Sequence, residues 1–171
     1  MPVSMYTISI PVFIRTLTGA SGCLDRATAH AAEHNLDMNF ILNMRLYPNM
    51  FSYKRQVQQA TMLSAAASCA LAEIKFQEMP NTEEDVPQLK ARIANTIELL
   101  GRIPSDQIDG REEKDVTIRV GSRDRSFNGQ GLLLDFILPN FYFHCTTAYD
   151  ILRHCGVPLQ KRDFTGAPNR P

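Results

Sequence analysis

Gly129–Gly156 reads GQGLLLDFILPNFYFHCTTAYDILRHCG, and its periodicity decides the fold class. Alternating steps of three and four from Leu134 pass through Ile137, Phe141, His144, Ala148, Ile151 and Cys155. Such a stripe predicts one long amphipathic helix packed among others. Pro139 falls inside it, where its missing N–H loosens a turn and frees the Asp135 carbonyl. His144 is the misfit on an otherwise apolar or small seam. A buried imidazole there needs a hydrogen-bond partner, a metal or a ligand, because an unpaired buried polar group is costly.

The same spacing recurs upstream. Ile10, Phe13, Leu17, Ala20, Leu24, Ala27 and Ala31 predict a helix from Met5 to about Asn35, which Pro11 either starts or kinks. Leu36–Phe51 carries a short helical turn around Met38–Met44, then an irregular segment through Pro48 and Asn49 that caps one end of the molecule. Ser52 suits the N-cap of a helix running to about Glu78, with Ala60, Leu63, Ala67, Ala70 and Ile74 as its seam and Gln56 one turn earlier. Asn81 or Thr82 then caps a helix whose stripe is Val86, Leu89, Ile93, Ile97 and Leu100, ended by Gly101 and Pro104. Asp115–Val120 alternates as a strand, Gly121–Asp124 turns, and Arg125–Phe127 returns. Asn128 caps the last long helix. The expected fold is all-α, a four-helix bundle with a short β-hairpin before the last helix, in a single domain over 1–171 with an extended tail from 160.

Composition narrows the function classes. At 171 residues the chain can bury a real core, and 44% hydrophobic with 21% charged residues are globular values. Lys+Arg and Asp+Glu balance at 18 each, which argues against nucleic acid as a partner. Apolar runs are too short for a membrane span, and the N-terminus lacks the charged region and cleavage site of a secretory signal. Cys23, Cys69, Cys145 and Cys155 form no C-x-x-C or zinc-knuckle pattern, so a reducing, cytoplasmic setting is expected.

His144 heads the candidate chemistry. Its bland reading is a core histidine bonded to a neighbour; its functional reading is a general base or metal ligand, with Asn140 and Thr147 on the same face. The usual second ligand, three or four residues on, would be Thr147 or Ala148, and His154 lies about 15 Å farther along the helix. His30 and His34 are an i,i+4 pair, but off the apolar stripe. Tyr142 and Tyr149 offer hydroxyls as acid or oxyanion donors, and Cys145 points about 100° away from His144. Arg45, Asn49, Arg55 and Gln56 cluster where the irregular loop meets the next helix. They either recognise a carboxylate or phosphate or only tie the loop down.

The segments SMYTISIPVFIRTL, LNMRLYPNMF followed by RQVQ, and LPNFYFH-x-TTAYDILRHCGV with its KRDF tail span nearly the whole chain. They resemble the domain-of-unknown-function family numbered nineteen-ninety-three, grouped with the DinB/YfiT-like metalloenzyme superfamily. The resemblance implies a DinB-like four-helix bundle. It also implies a site at a histidine triad, one on the second long helix and an H-x-x-x-H pair on the last. Here the pair maps to His144 and Ala148, and the remaining position to Gln58 or Gln59. One of three ligands is present, so no metal site or cofactor is expected, beyond a degenerate divalent-metal site completed by Gln59 or an external thiol. The resembled family carries polar residues where this chain has Met62 and Leu63, which implies an apolar organic ligand.

The resulting expectation is a small-molecule enzyme doing isomerase-, cyclase- or lyase-type acid–base chemistry in a biosynthetic pathway. His144 and Tyr149 would be catalytic, and Arg45, Arg55, Gln56, Gln59, Asn140 and Thr147 would bind substrate. The alternative is a non-catalytic ligand-binding or stress-associated bundle. Expected partners are a small-molecule ligand and, at most, a second copy in a homodimer, with neither nucleic acid nor membrane.

Overall fold

A computed structural model describes residues 3–166. Helix α1 spans Ile10–Glu33 and buries Ile10, Phe13, Leu17, Leu24, Ala27 and Ala31. It begins five residues later than the periodicity from Met5 predicts, because Pro11 has no N–H to give and is tolerated only in the first turn. Asn35, at φ 53, ends it in the left-handed cap that asparagine accepts, with Leu36 N–H returning to the Ala31 carbonyl at 2.8 Å. Helix α2, Met38–Asn43, is capped by Asp37.

Helix α3 covers Tyr53–Leu71 and stops seven residues short of the expected Glu78. A Schellman cap closes it: Ile74 N–H bonds the Cys69 carbonyl at 2.8 Å and Glu73 N–H the Ala70 carbonyl at 3.3 Å. The left-handed residue is Glu73 (φ 58), held in place by Arg111 at 3.0 Å and by Lys114. No glycine marks this ending, so the sequence carries no local stop signal. The buried face also differs from the expected seam. Tyr53, Gln56, Val57, Ala60, Thr61, Ser64, Ala67 and Ser68 are buried, whereas Leu63 is half-buried and Ile74 is 38% exposed.

Helix α4, Val86–Gly101, is capped by Asp85, whose carboxylate accepts from Gln88 N–H at 2.8 Å, and not by Asn81 or Thr82. An irregular linker therefore joins α3 to α4, and α4 buries Arg92 and Thr96 beside its apolar stripe. A single 3-10 turn, Ser105–Gln107, precedes an antiparallel hairpin of β1 (Asp115–Val120) and β2 (Arg123–Asn128), with Val116 opposite Phe127.

From Gly129 to His154 the quoted stretch is continuously helical but not uniformly so. Asn128 caps α5 (Gly129–Gly131), a π-helical segment follows over Leu132–Ile137, and α6 runs Leu138–His154. The wider π turns precede Pro139, which sits in the first turn of α6, so the proline's missing donor falls where the ladder has already shifted. The shift rotates Leu134 outward to 42% exposure and puts Leu132 and Leu133 in the core. Gly129 passes so close to the Arg111 carbonyl that a Cβ would lie 2.0 Å from it.

Four long helices surround one core: α3 packs on α6 and α4, and α1 packs on α4 and α6. Phe13 of α1 meets Phe141 of α6 edge-on at 4.8 Å. The expected extended tail is partly helical, since α7 (Lys161–Thr165) docks on α1 over Gly19. Residues 167–171 of that tail lie outside the described residues. Among the described residues no helix is long and apolar enough to cross a membrane.

Candidate functional site

The first turn of α3 and the middle of α6 meet at Gln56 and His144. Ser52 is extended (ψ 164) just before α3, which turns the Phe51 carbonyl back toward the helix. Gln56 Nε2 donates to that carbonyl at 3.2 Å, so the amide orientation is set and Oε1 must face the other way. Oε1 lies 2.6 Å from His144 Nδ1. An amide oxygen only accepts, so Nδ1 carries the proton and Nε2 keeps its lone pair. Burial, with a smaller contribution from the nearby Arg55 charge, pulls the imidazole pKa from 6.5 down to about 4. His144 is therefore neutral at physiological pH. Phe51 stacks over it (centroids 6.2 Å, planes 21° apart) and Phe143 meets it edge-on at 5.4 Å.

Arg55 adjoins this pair. Its guanidinium sits over the Phe51 ring, 5.4 Å from the centroid, and donates to Gln58 Oε1 at 3.4 Å. Gln58 Nε2 passes the chain on to Glu83 Oε2 at 2.9 Å, and Glu83 Oε1 accepts from the buried Arg92 at 2.8 Å. Arg92 also bonds Thr61 Oγ1 (2.7 Å) and the carbonyls of Pro80 (2.8 Å) and Gln58 (3.2 Å). This network pins the α3–α4 linker against both helices. Lys54, beside Arg55, is paired with Glu84.

The expected site residues divide into three groups. Gln56, Arg55 and His144 come together as described. Thr147 is buried one turn beyond His144, and Gln59 is half-buried one turn beyond Gln56. Others are engaged elsewhere. Arg45 Nη1 donates to the Met50 carbonyl at 2.6 Å, so it braces the loop. Asn140 Nδ2 donates to the Phe136 carbonyl at 2.6 Å, so its amide serves the π segment. Tyr149 packs against Phe164 of α7 at 5.8 Å, on a face about 140° round the helix from His144. Burial pushes the Cys145 thiol far up, which suits an inert core thiol. His30 and His34 stack at 4.2 Å at the end of α1, with His34 Nδ1 2.9 Å from the His30 carbonyl.

Phe51, Phe143, Glu83 and Arg92 were not foreseen as site neighbours, whereas Gln58 was expected only as a position of the resembled triad. The only local signal for the unforeseen four was the apolar character of the loop before Ser52. A separate cavity of about 670 Å³ opens between the linker and α4, lined by Phe76, Met79, Cys69, Glu83, Arg92 and Leu99 among others; it does not reach His144.

The histidine triad implied by the resemblance can be tested on donor chemistry. Of the corresponding positions, Ala148 offers a methyl group, Gln58 or Gln59 offers only an amide, that of Gln58 being committed to Arg55 and Glu83, and His144 has only Nε2 free. Among the described residues no three His, Cys, Asp or Glu side chains group as metal ligands. This donor set does not fit a three-histidine centre.

Comparison with curated proteins returned no match. Among solved structures, the chain is similar to a DinB family member from Shewanella denitrificans, with a TM-score of 0.88 and 27% identity over 97% of this chain and 94% of that one. The family model described as "Domain of unknown function (DUF1993)" matches residues 5–165. With nearly its whole length matched, and with the helices and hairpin of a DinB-like domain, the chain belongs to the DUF1993 family.

Proposed function

We propose that this DinB-like domain is a four-helix bundle enzyme acting on a small organic molecule, with His144 Nε2 as its acid–base group. The observation that carries the reading is the relay Phe51 carbonyl–Gln56 amide–His144 Nδ1. Such a partner on one ring nitrogen orients the ring and leaves the other as a base of defined direction. Nε2 would take a proton from a substrate carbon or hydroxyl and return it at another atom of the same molecule, an isomerisation or cyclisation that needs no redox partner. Gln56 is a positioning residue, and Phe51 and Phe143 supply the apolar contact.

A pKa of about 4 makes His144 a weak base in the ligand-free protein. That observation favours a second reading, in which the same neutral imidazole is only a hydrogen-bond acceptor in a ligand-binding bundle. The two separate on turnover. Wild-type, His144→Gln and His144→Ala proteins would be incubated with a small-molecule extract of the source organism and followed by chromatography with mass detection. Conversions made by wild type and lost in both variants support the enzyme. Conversions identical in all three, with both variants folded, remove His144 from the chemistry.

A further inference from the structure

Arg55 is a cation that no described carboxylate pairs directly. Among the described residues the ion pairs engage Lys54, Lys90, Arg92, Arg102, Arg111, Lys114, Arg119 and Arg26, but not Arg55. The carboxylate whose charge reaches it, Glu83, is engaged elsewhere: one oxygen accepts from Arg92 and the other from Gln58. The cluster therefore holds two guanidiniums, Arg55 and Arg92, against one carboxylate. Burial and then the Arg92 charge lower the Arg55 pKa, and the Glu83 charge offsets this only in part. Carrying such a charge half-buried costs desolvation, so the bland reading, a loop tether, leaves most of its bonding capacity unexplained.

The geometry says what the guanidinium is free to do. Its flat face is taken by the Phe51 ring, while among the described residues only one of its five N–H donors makes a bond, the long 3.4 Å contact to Gln58. Donors in the plane of the fork are the ones that meet a carboxylate side-on. Both Arg55 and His144 border the same Phe51 ring, which is 44% exposed, and Phe143 on the other side of His144 is 54% exposed. A charged group and an apolar rim thus flank one base.

We infer that the His144 site takes an organic carboxylate with an apolar body, its anionic end held by Arg55 and its apolar part lying against Phe51 and Phe143. A phosphate dianion fits less well, since it calls for a second free cation and Lys54 is paired with Glu84. The inference rests on the His144 reading and deepens it: the ligand's negative charge offsets the Arg55 field, which makes His144 a stronger base only when substrate is bound.

The test uses two nearly isosteric probes, phenylacetate and phenylacetamide, titrated into the full-length protein to about 10 mM. The His144 imidazole resonances and the Arg55 Nε–H signal are followed by NMR. The expected result is that phenylacetate binds about tenfold more tightly than the amide, a factor typical of one charge-assisted contact. Arg55→Gln should erase that preference and Arg55→Lys should keep part of it, with melting temperatures checking that both variants are folded. Equal binding of the two probes, a preference that survives Arg55→Gln, or no perturbation by either probe overturns the inference. The nitrogen shifts of His144 before any probe is added report separately on the underlying reading. A proton on Nδ1 with indifference to phenylacetate fails the carboxylate alone. A proton on Nε2 fails the base assignment, while an Arg55 signal that moves with phenylacetate still upholds the anion contact.

Discussion

Gln56 and His144 are 88 residues apart in the chain, yet their side chains meet at 2.6 Å, and that contact decides which imidazole nitrogen is available. Gln56→Leu should strand Nδ1 and the Phe51 carbonyl together. Leaving buried polar groups unpaired costs about 1–3 kcal/mol, and urea denaturation should show a loss of that size. Gln56→Glu should do the opposite to the ring, raising the His144 pKa by placing a carboxylate on Nδ1. A Gln56→Leu protein as stable as wild type, with Nδ1 still protonated by NMR, would contradict the relay.

Acid should weaken the fold through His144. Its folded pKa, about 4, lies below the ordinary 6.5. Between those values the unfolded chain binds a proton that the folded one refuses, so stability rises with pH across the window. The stability present above pH 6.5 is therefore lost progressively as pH falls toward 4, and this loss levels off below. His144→Gln should flatten that portion of the stability-versus-pH curve. A curve of unchanged slope in the variant would place the titration elsewhere.

Arg92 is expected to be the costliest of the polar side chains to remove. Arg92→Leu leaves Glu83 half-buried without its cation and releases the Pro80 carbonyl, so a loss of about 3–5 kcal/mol is expected. The linker between α3 and α4 should become the first site of limited proteolysis. Cleavage at wild-type rates would show that the linker is held by something other than this network.

Two glycines should respond in opposite directions to alanine. At Gly129 a Cβ would lie 2.0 Å from the Arg111 carbonyl, so the backbone there must move, at a cost of about 1–3 kcal/mol or more. Gly22 is exposed within α1, and a Cβ added there would meet nothing within 4 Å, so alanine should stabilise by about 0.5–1 kcal/mol. Thermal melts of the two variants read both signs.

The long helices, the hairpin and the cap at Asn128 were legible because each depends on residues within a turn or two of one another, whereas α7 lies where an extended tail was expected. The oddity of His144 was legible from equally local spacing, as one imidazole on an apolar stripe. Where the sequence misled, the cause was non-local or lacked a local mark. Helix α3 ends on a left-handed glutamate that Arg111 and Lys114 hold from 38 or more residues away, so no glycine announces the stop. The π segment rotates Leu134 outward, which straight 3.6-residue counting cannot foresee.

The site followed the same division. Composition and periodicity by themselves determined a helical core with a polar group set into it. Only tertiary structure decided what that group faces: the partner is an amide on another helix, the ceiling is a loop phenylalanine, and Asn140 and Tyr149 are spent on other contacts. Hydrogen bonds and ring contacts depend on direction as well as distance, and between helices that direction is set by packing, which no single helix's sequence contains.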